Sequence, residues 1–291
     1  MHIPKLPNLR VVGVIGEGAG SLVYQAEHLK TGEKIAIKHV SEATVNLRST
    51  GSTEILSRKG KKPNYNVFYQ QMTNEWEMLS QIEKVCNHPG LIIVYDLIPI
   101  RKTFAIVGYD LTMEYVEGVS LREKRDYPIE EMIRIYRESA SCLGAVHAAG
   151  VIHADIKPHH IFVAKGGGIK ILDFGQARYA NDAGGKVQGT PQYMAPEQFK
   201  GKPVDARTDV YLLGATMFLA LTGQHVHPVA EGMPTATGFS IDFRSRRKSL
   251  REFVPTVPEQ LEEIILSSCE IHPEDRPRSM TEVMRALDGV K

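Results

Sequence analysis

The chain is poor in cysteine, nearly free of net charge and without a long apolar run, and each shortage removes a class of protein. Its 291 residues hold three cysteines, Cys86, Cys142 and Cys269. Far apart and odd in number, they match neither a zinc spacing nor a disulfide framework, which points to a reducing compartment. Lys and Arg total 35 against 34 Asp and Glu, a formal net charge of +1. That balance does not call for a nucleic acid as the main partner. The longest apolar run, 210–221, is interrupted by Gly214 and falls well short of the roughly 20 residues a spanning helix needs. The start, MHIPKLPNLR, carries prolines and no apolar core, so it does not read as a signal peptide. The expectation is a cytoplasmic protein with no membrane segment in this chain. A local shortage also matters: between Asp173 and Glu197 there is no serine, Thr190 is the only threonine, and Tyr179 and Tyr193 are the only tyrosines.

At 42% hydrophobic and 24% charged residues, a large core in two lobes is within reach. Residues 9–40 alternate and carry glycine punctuation, the pattern of a strand, a tight turn and two more strands. Residues 41–66 are polar and rich in Ser, Thr, Gly and Lys, the composition of a flexible insertion. Phe68, Met72, Leu79 and Ile82 then recur at helical spacing with Glu75 on the same face. Strand-like stretches follow at 91–100 and 103–115, and Glu117-Gly118 reads as a connector. Beyond it, Ile129, Met132, Ile133, Tyr136, Ala140, Leu143 and Val146 make a long apolar helical stripe. Short strands at 161–163 and 169–172 flank a turn at 166–168, and helices dominate from Asp209 on. The pattern is a small strand-rich lobe followed by a larger helical one.

The chemistry concentrates in His153-Ala154-Asp155-Ile156-Lys157-Pro158-His159-His160-Ile161, followed by Asp173-Phe174-Gly175. Phosphoryl transfer needs a group to orient a hydroxyl, a cation and a carboxylate for a metal, and this stretch offers all three. An Asp two residues before a Lys is, by itself, most often a surface pair. Gly16-Glu17-Gly18-Ala19-Gly20-Ser21-Leu22-Val23 lies between two apolar strands. Alone it reads equally well as an ordinary hairpin; its chemical use would be backbone close enough to bond phosphates. A strand rather than a helix follows it, which sets it apart from a dinucleotide-binding turn. In a strand, Lys38 shares its face with Ala36 and Val40. Glu75 lies between Met72 and Leu79 on a buried stripe, where a carboxylate is costly unless paired. Lys38 is the partner available to it, and Glu77 is the competing acid.

In order and spacing these motifs, together with Gly189-Thr190-Pro191-Gln192-Tyr193-Met194-Ala195-Pro196-Glu197, Thr208-Asp209-Val210-Tyr211 and Asp275-Arg276-Pro277, resemble the eukaryotic-type Ser/Thr protein kinase family over residues 9–287. The resemblance implies an α+β, bilobal protein-kinase-like fold in one domain over 1–291. Its N-lobe would span 9–116, a small antiparallel sheet with one key helix, and its mainly helical C-lobe 117–291. It implies ATP and Mg²⁺ as cofactors and a protein as substrate; it specifies no oligomeric state. Gly16 and Gly18 would approach phosphates. Val23, Ala36 and Phe162 would sandwich adenine beside Met113, the gatekeeper position, while Glu114, Tyr115 and Val116 would offer it backbone hydrogen bonds. Lys38 and Glu75 would orient the α- and β-phosphates, and Asp173 would ligate the metal. Asp155 would orient the substrate hydroxyl or take its proton. Lys157 would neutralise the transferring group and mark Ser/Thr specificity, and Thr190 would contact both. Asp209 and the Glu197–Arg276 pair would be structural.

Two letters depart from the family. Ala154 stands where an arginine usually pairs with a phosphate on the 173–197 segment. With so few hydroxyls in that segment, activity independent of its phosphorylation is expected. His160 stands where an asparagine usually binds a second metal. Imidazole is a borderline ligand, better matched to Mn²⁺ than to Mg²⁺. One metal on Asp173, a preference for Mn²⁺, or lost catalysis are all open. The alternatives to a protein kinase are therefore a nucleotide-binding pseudokinase or scaffold, and a small-molecule kinase, against which the 189–197 segment argues. The basic run Arg244–Arg251 reads as a solvated face or as docking for an acidic partner. Ser49, Thr50, Ser52, Thr53 and Ser57 are candidate autophosphorylation sites.

Overall fold

The computed structural model describes residues 4–18, 20–49, 64–180, 182, 189–231, 239–243 and 249–290. Most of the basic run and four of the five candidate autophosphorylation positions, Thr50 to Ser57, lie outside them. The chain divides into two compact units, Met1–Ser80 with Ile92–Glu117, and Gln81–Leu91 with Gly118–Lys291.

The first unit is built on an antiparallel sheet of β1 (Leu9–Glu17), β2 (Leu22–His28), β3 (Lys34–Ser41), β4 (Val94–Lys102) and β5 (Ala105–Glu114), in the order β1-β2-β3-β5-β4. Alternation sorts its side chains. Leu22, Tyr24, Ala26 and Ile37 bury one face, with Leu6, Leu9 and Val11 packed against them. The register Val23↔Lys38↔Leu111 and Gln25↔Ala36↔Met113 gives Val23, Ala36, Lys38, Leu111 and Met113 the other face. Pro99 falls in β4, an edge strand, where a missing N–H is tolerated.

The expectation of a flexible insertion over 41–66 is corrected at both ends. Residues Glu42–Ser49 form helix α1, and α2 (Tyr65–Val85) starts at Tyr65. The Ser41 hydroxyl accepts the Thr44 N–H at 3.2 Å, which caps α1, and Val45 is fully buried. Behind the cap lies a buried polar chain: Asp110 Oδ1 to His39 Nδ1 at 2.6 Å, His39 Nε2 to Ser41 Oγ at 3.1 Å, Ser41 Oγ to Thr44 Oγ1 at 2.9 Å.

In the second unit β6 (Gly118–Ser120), β8 (Ile161–Ala164) and β9 (Ile169–Ile171) form a small antiparallel sheet. Strands β7 (Val151–Ile152) and β10 (Arg178–Tyr179) pair antiparallel, as do β11 (Val229–Glu231) and β12 (Phe239–Ile241). The helices are α3 (Ile129–Ala148), α4 (Pro196–Phe199), α5 (Ala206–Thr222), α6 (Glu259–Ser268) and α7 (Met280–Leu287). Helix α5 is buried on every side from Thr208 to Ala220, and α3 and α6 pack against it. Asp205 caps its start by accepting the Arg207 N–H at 2.8 Å, and Gly223 ends it in the left-handed region at φ 70°. Among the described residues no helix is long and apolar enough to cross a membrane.

The boundary expected at 116/117 needs one amendment, because residues 81–91 group with the second unit. Hydrogen bonds explain it. Gly90 O accepts from the Ile171 N–H at 2.8 Å, Leu91 O accepts from Lys170 Nζ at 2.9 Å, and His88 meets Ser141 at 3.1 Å.

Candidate active site

The first unit holds the expected nucleotide-side residues. Lys38 Nζ donates to Glu75 Oε2 at 2.5 Å, with the two side chains 16% and 3% exposed. Glu77 is exposed, so the choice between the two acids falls to Glu75. Helical spacing puts Glu75 on the face of Phe68, Met72 and Leu79, all buried. Val23, Ala36 and Met113 lie on the Lys38 face of the sheet by register, an apolar surface around one ammonium group. Glu114 closes β5; its N–H donates to Ile93 O at 2.9 Å and its carboxylate accepts the Ile93 N–H at 2.8 Å. Tyr115 and Val116 follow beyond the last strand pair.

The glycine-rich turn is tight for identifiable reasons. The Gly18 N–H donates to Ser21 O at 2.9 Å, and a Cβ on Gly18 would meet Ser21 Oγ at 2.5 Å. A Cβ on Gly20 would run into the Phe68 ring. Gly16, paired with Val23 in β1, has room for a side chain, so packing does not demand glycine there.

In the second unit the expected catalytic residues converge. Asp155 Oδ1 accepts the Thr190 N–H at 3.0 Å and its hydroxyl at 2.9 Å; Asp155 Oδ2 accepts from Lys157 Nζ at 2.9 Å. Lys157 also donates to Thr190 Oγ1 at 2.8 Å, closing a triangle. Both lone-pair directions of Oδ1 are used, and one remains on Oδ2. The backbone is held as firmly. Asp209 accepts the His153 and Ala154 N–H groups at 2.8 Å each and meets His147 Nε2 at 2.8 Å. Burial pushes the Asp209 carboxyl up, but His147, His153 and the Ala154 N–H bring it below its ordinary value overall. His153 is fully buried and held below its usual range, first by that burial and then by the nearby His160. As a neutral ring its Nε2–H donates to Leu172 O at 3.1 Å while Nδ1 accepts the Asp155 N–H at 3.3 Å. Its ring packs on Phe174, centroids 4.6 Å apart.

His160 ends the one-turn 3-10 helix that begins at Pro158 and is buried. Its Nδ1 lies 2.7 Å from Asp155 O. A carbonyl only accepts, so Nδ1 carries a hydrogen, which leaves Nε2 for other contacts. That nitrogen sits 3.4 Å from Asp173 Oδ2. One ring nitrogen anchored to a carbonyl is how metal-ligating histidines are usually fixed. Asp173 is 42% exposed on its side chain and left-handed at φ 64°. No group of three His, Cys, Asp or Glu converges among the described residues. Asp173 and His160, the two residues expected at a metal, are placed side by side. Phe162 lies half-buried in β8 opposite Ser120 and Lys170.

The docking segment is tied in from below. Arg276 makes a two-pronged bond to Glu197, at 2.8 and 2.9 Å, and Thr208 donates to the same carboxylate at 2.8 Å. Sequence reasoning missed Thr208, His147 and Gln198. Gln198 Nε2 donates to Ala154 O at 2.8 Å while its Oε1 accepts the Ala195 N–H at 3.1 Å. A polar residue directly after Glu197 was the only hint of it.

The chain matches the protein kinase domain over residues 9–286. It belongs to the protein kinase domain family, the class that its sheet, catalytic loop and docking segment define. It is similar to the serine/threonine-protein kinase PknB of Mycolicibacterium smegmatis, 34% identical over 229 residues, covering 75% of this chain and 35% of that protein. A probable PknB of Corynebacterium glutamicum is 30% identical over 94% of this chain and 41% of its own length. A probable serine/threonine-protein kinase of Streptomyces coelicolor is 28% identical over 95% of this chain and 39% of its own length. The chain therefore spans well under half the length of these curated relatives. ATP and Mg²⁺ are the family's general reactants.

Proposed function

We propose that the chain transfers the γ-phosphoryl group of ATP to Ser or Thr hydroxyls of a protein, in the cytoplasm, without needing a phosphate on its own 173–197 segment. The observation that carries the reading is the Asp155–Lys157–Thr190 triangle. It fixes a carboxylate with one free lone pair on Oδ2, where a substrate hydroxyl docks. The hydroxyl oxygen attacks the γ-phosphorus, the bond from that phosphorus to the β,γ-bridging oxygen breaks, and ADP departs. The hydroxyl proton passes to Asp155 as the new bond forms. Lys157 offsets charge on the transferring oxygens. Lys38, oriented by Glu75, holds the α- and β-phosphates, with Gly16 and Gly18 supplying close backbone. Val23, Ala36, Met113 and Phe162 enclose adenine, and Glu114 and Val116 bond its edge through the backbone. The names of the relatives agree with a Ser/Thr acceptor.

Independence from loop phosphorylation rests on what the segment can offer. Its only Ser/Thr hydroxyl, Thr190, is engaged by Asp155 and Lys157. Tyr193 is buried, which leaves exposed Tyr179 as the one other hydroxyl, and Ala154 provides no guanidinium to receive a phosphate.

A divalent cation on Asp173 and His160 would neutralise phosphate charge. The imidazole nitrogen favours Mn²⁺ over Mg²⁺ in that position. The test is transfer to a generic protein substrate with Mg²⁺ and with Mn²⁺, for wild type, Asp155→Ala and His160→Asn. Wild type is expected to work better and bind metal more tightly with Mn²⁺, and His160→Asn to reverse the order. Mn²⁺ binding in the presence of a non-hydrolysable ATP analogue, followed by electron paramagnetic resonance, reads affinity without turnover. Equal rates and affinities for both metals would remove the metal preference. Transfer unaffected by Asp155→Ala would remove the catalytic reading and leave a nucleotide-binding scaffold.

A further inference from the structure

Ala154 adopts φ 62°, the left-handed region that is strained for a residue with a Cβ. It is also fully buried and has no side chain that can hold it there. The conformation persists because its flanking peptides are gripped from outside. The N–H groups of His153 and Ala154 end on Asp209, and the Asp155 N–H ends on His153. The remaining grip is the Ala154 carbonyl, and Gln198 of α4 supplies it at 2.8 Å. The Ala154–Asp155 peptide is thus held at its N–H by His153 and at its C=O by Gln198. Its orientation sets where the Asp155 side chain leaves the backbone.

Gln198 has a second duty that fixes its amide the right way round. Its Oε1 accepts from Ala195 N–H, within the docking segment, so Nε2 must be the atom facing the carbonyl. It is 3% exposed, and a Cβ added to Gly189 would lie 3.6 Å from its Nε2. One side chain therefore touches both ends of the machinery: the catalytic loop through Ala154 and the docking segment through Ala195, beside Gly189.

We infer that Gln198 is a positioning residue that couples substrate docking to the orientation of Asp155. The inference rests on the proposed phosphotransfer and adds to it a residue outside the reacting groups. A substrate that presses on the docking segment acts on the Asp155 peptide through this amide, in addition to the direct Thr190 bond.

Two substitutions test it in the full chain. Gln198→Met keeps the volume and removes both bonds. Gln198→Glu keeps the acceptor for Ala195 N–H and sets a carboxylate oxygen against the Ala154 carbonyl. Both are expected to lower kcat about tenfold, the cost of one buried hydrogen bond in the transition state, with the KM for ATP within twofold of wild type. The KM for protein substrate rises in Gln198→Met. Val283→Ala, in the core of α7, is the control for general destabilisation, chosen for its full burial away from the loop. Hydrogen exchange on nucleotide-free protein gives a reading independent of turnover: the Asp155 and Thr190 amides exchange faster in both Gln198 variants than in Val283→Ala. A kcat within twofold of wild type, a loss no greater than that of Val283→Ala at equal thermal shift, or unchanged Asp155 and Thr190 exchange would each overturn the inference. Absence of transfer in wild type would sink the proposed function alone, since the exchange measurement still decides whether Gln198 holds the loop.

Discussion

Lys38 shows how little a single charged residue reveals until its partner is known. On the strand it is one ammonium on an apolar face; with Glu75 at 2.5 Å it is half of a pair almost withdrawn from water. Removing one member of such a pair strands the other. Lys38→Met is expected to lower stability by about 3 kcal/mol, screened somewhat by the residual exposure of Lys38. Urea denaturation followed by tryptophan fluorescence measures it, through Trp76 on the same helix. A change under about 0.5 kcal/mol would mean Glu75 finds water instead. The acid was legible in the sequence because a buried stripe leaves few places for a carboxylate. The strained Ala154 was not: alanine carries no signal of left-handed geometry, and the bonds that impose it come from Asp209 and Gln198, 55 and 44 residues away.

At the level of elements, periodic ones were readable and network-built ones were not. The stripes of α2 and α3 and the alternation of β1 to β3 follow from apolar spacing. Helix α1 was expected to be part of a flexible insertion, because residues 41–66 are polar and rich in Ser, Thr, Gly and Lys; the helix is instead anchored by His39, Ser41 and Thr44. They are buried through mutual bonds that end on Asp110, 71 residues along the chain. Composition cannot show a bond across that separation. Helix α4 is similar: a single turn held by the Glu197–Arg276 bond rather than by its own propensity. Arg276→Met is expected to cost about 3–5 kcal/mol, because Glu197 stays buried without its cation. The double variant Arg276→Met with Glu197→Gln should recover part of that loss. If the double is less stable than the single, the pair is not the source of the cost; thermal melts of the three proteins decide it.

The whole molecule carries a pH signature. Burial, the largest cause in each case, holds His88, His153 and His225 below 6.5 and His159 at about 4. These rings stay neutral in the folded chain and gain protons on unfolding once the pH is below about 6.5. The unfolded state then binds more protons, so stability is full at neutral pH and declines towards pH 5. A urea midpoint lower at pH 5 than at pH 7 is the expected result, and His153→Phe should flatten the decline. An unchanged midpoint across that range would show that these rings are protonated in the native state. Unlike the motif order, this behaviour was hidden in the sequence, since eleven histidines look alike until burial separates them.

The Glu197–Arg276 bond joins residues 79 apart, and the cation comes second in order of synthesis. A growing chain reaches the catalytic loop and docking segment long before it reaches the arginine that seats them. Until Arg276 has left the ribosome, Glu197 has only the Thr208 hydroxyl to turn inward for, and its charge has no counterion. Fragments ending before that arginine should therefore carry every group that touches substrate and still fail to dock one. The bond works as a check on the order of synthesis: the 189–197 segment is seated only after the residues that follow α6 have been made.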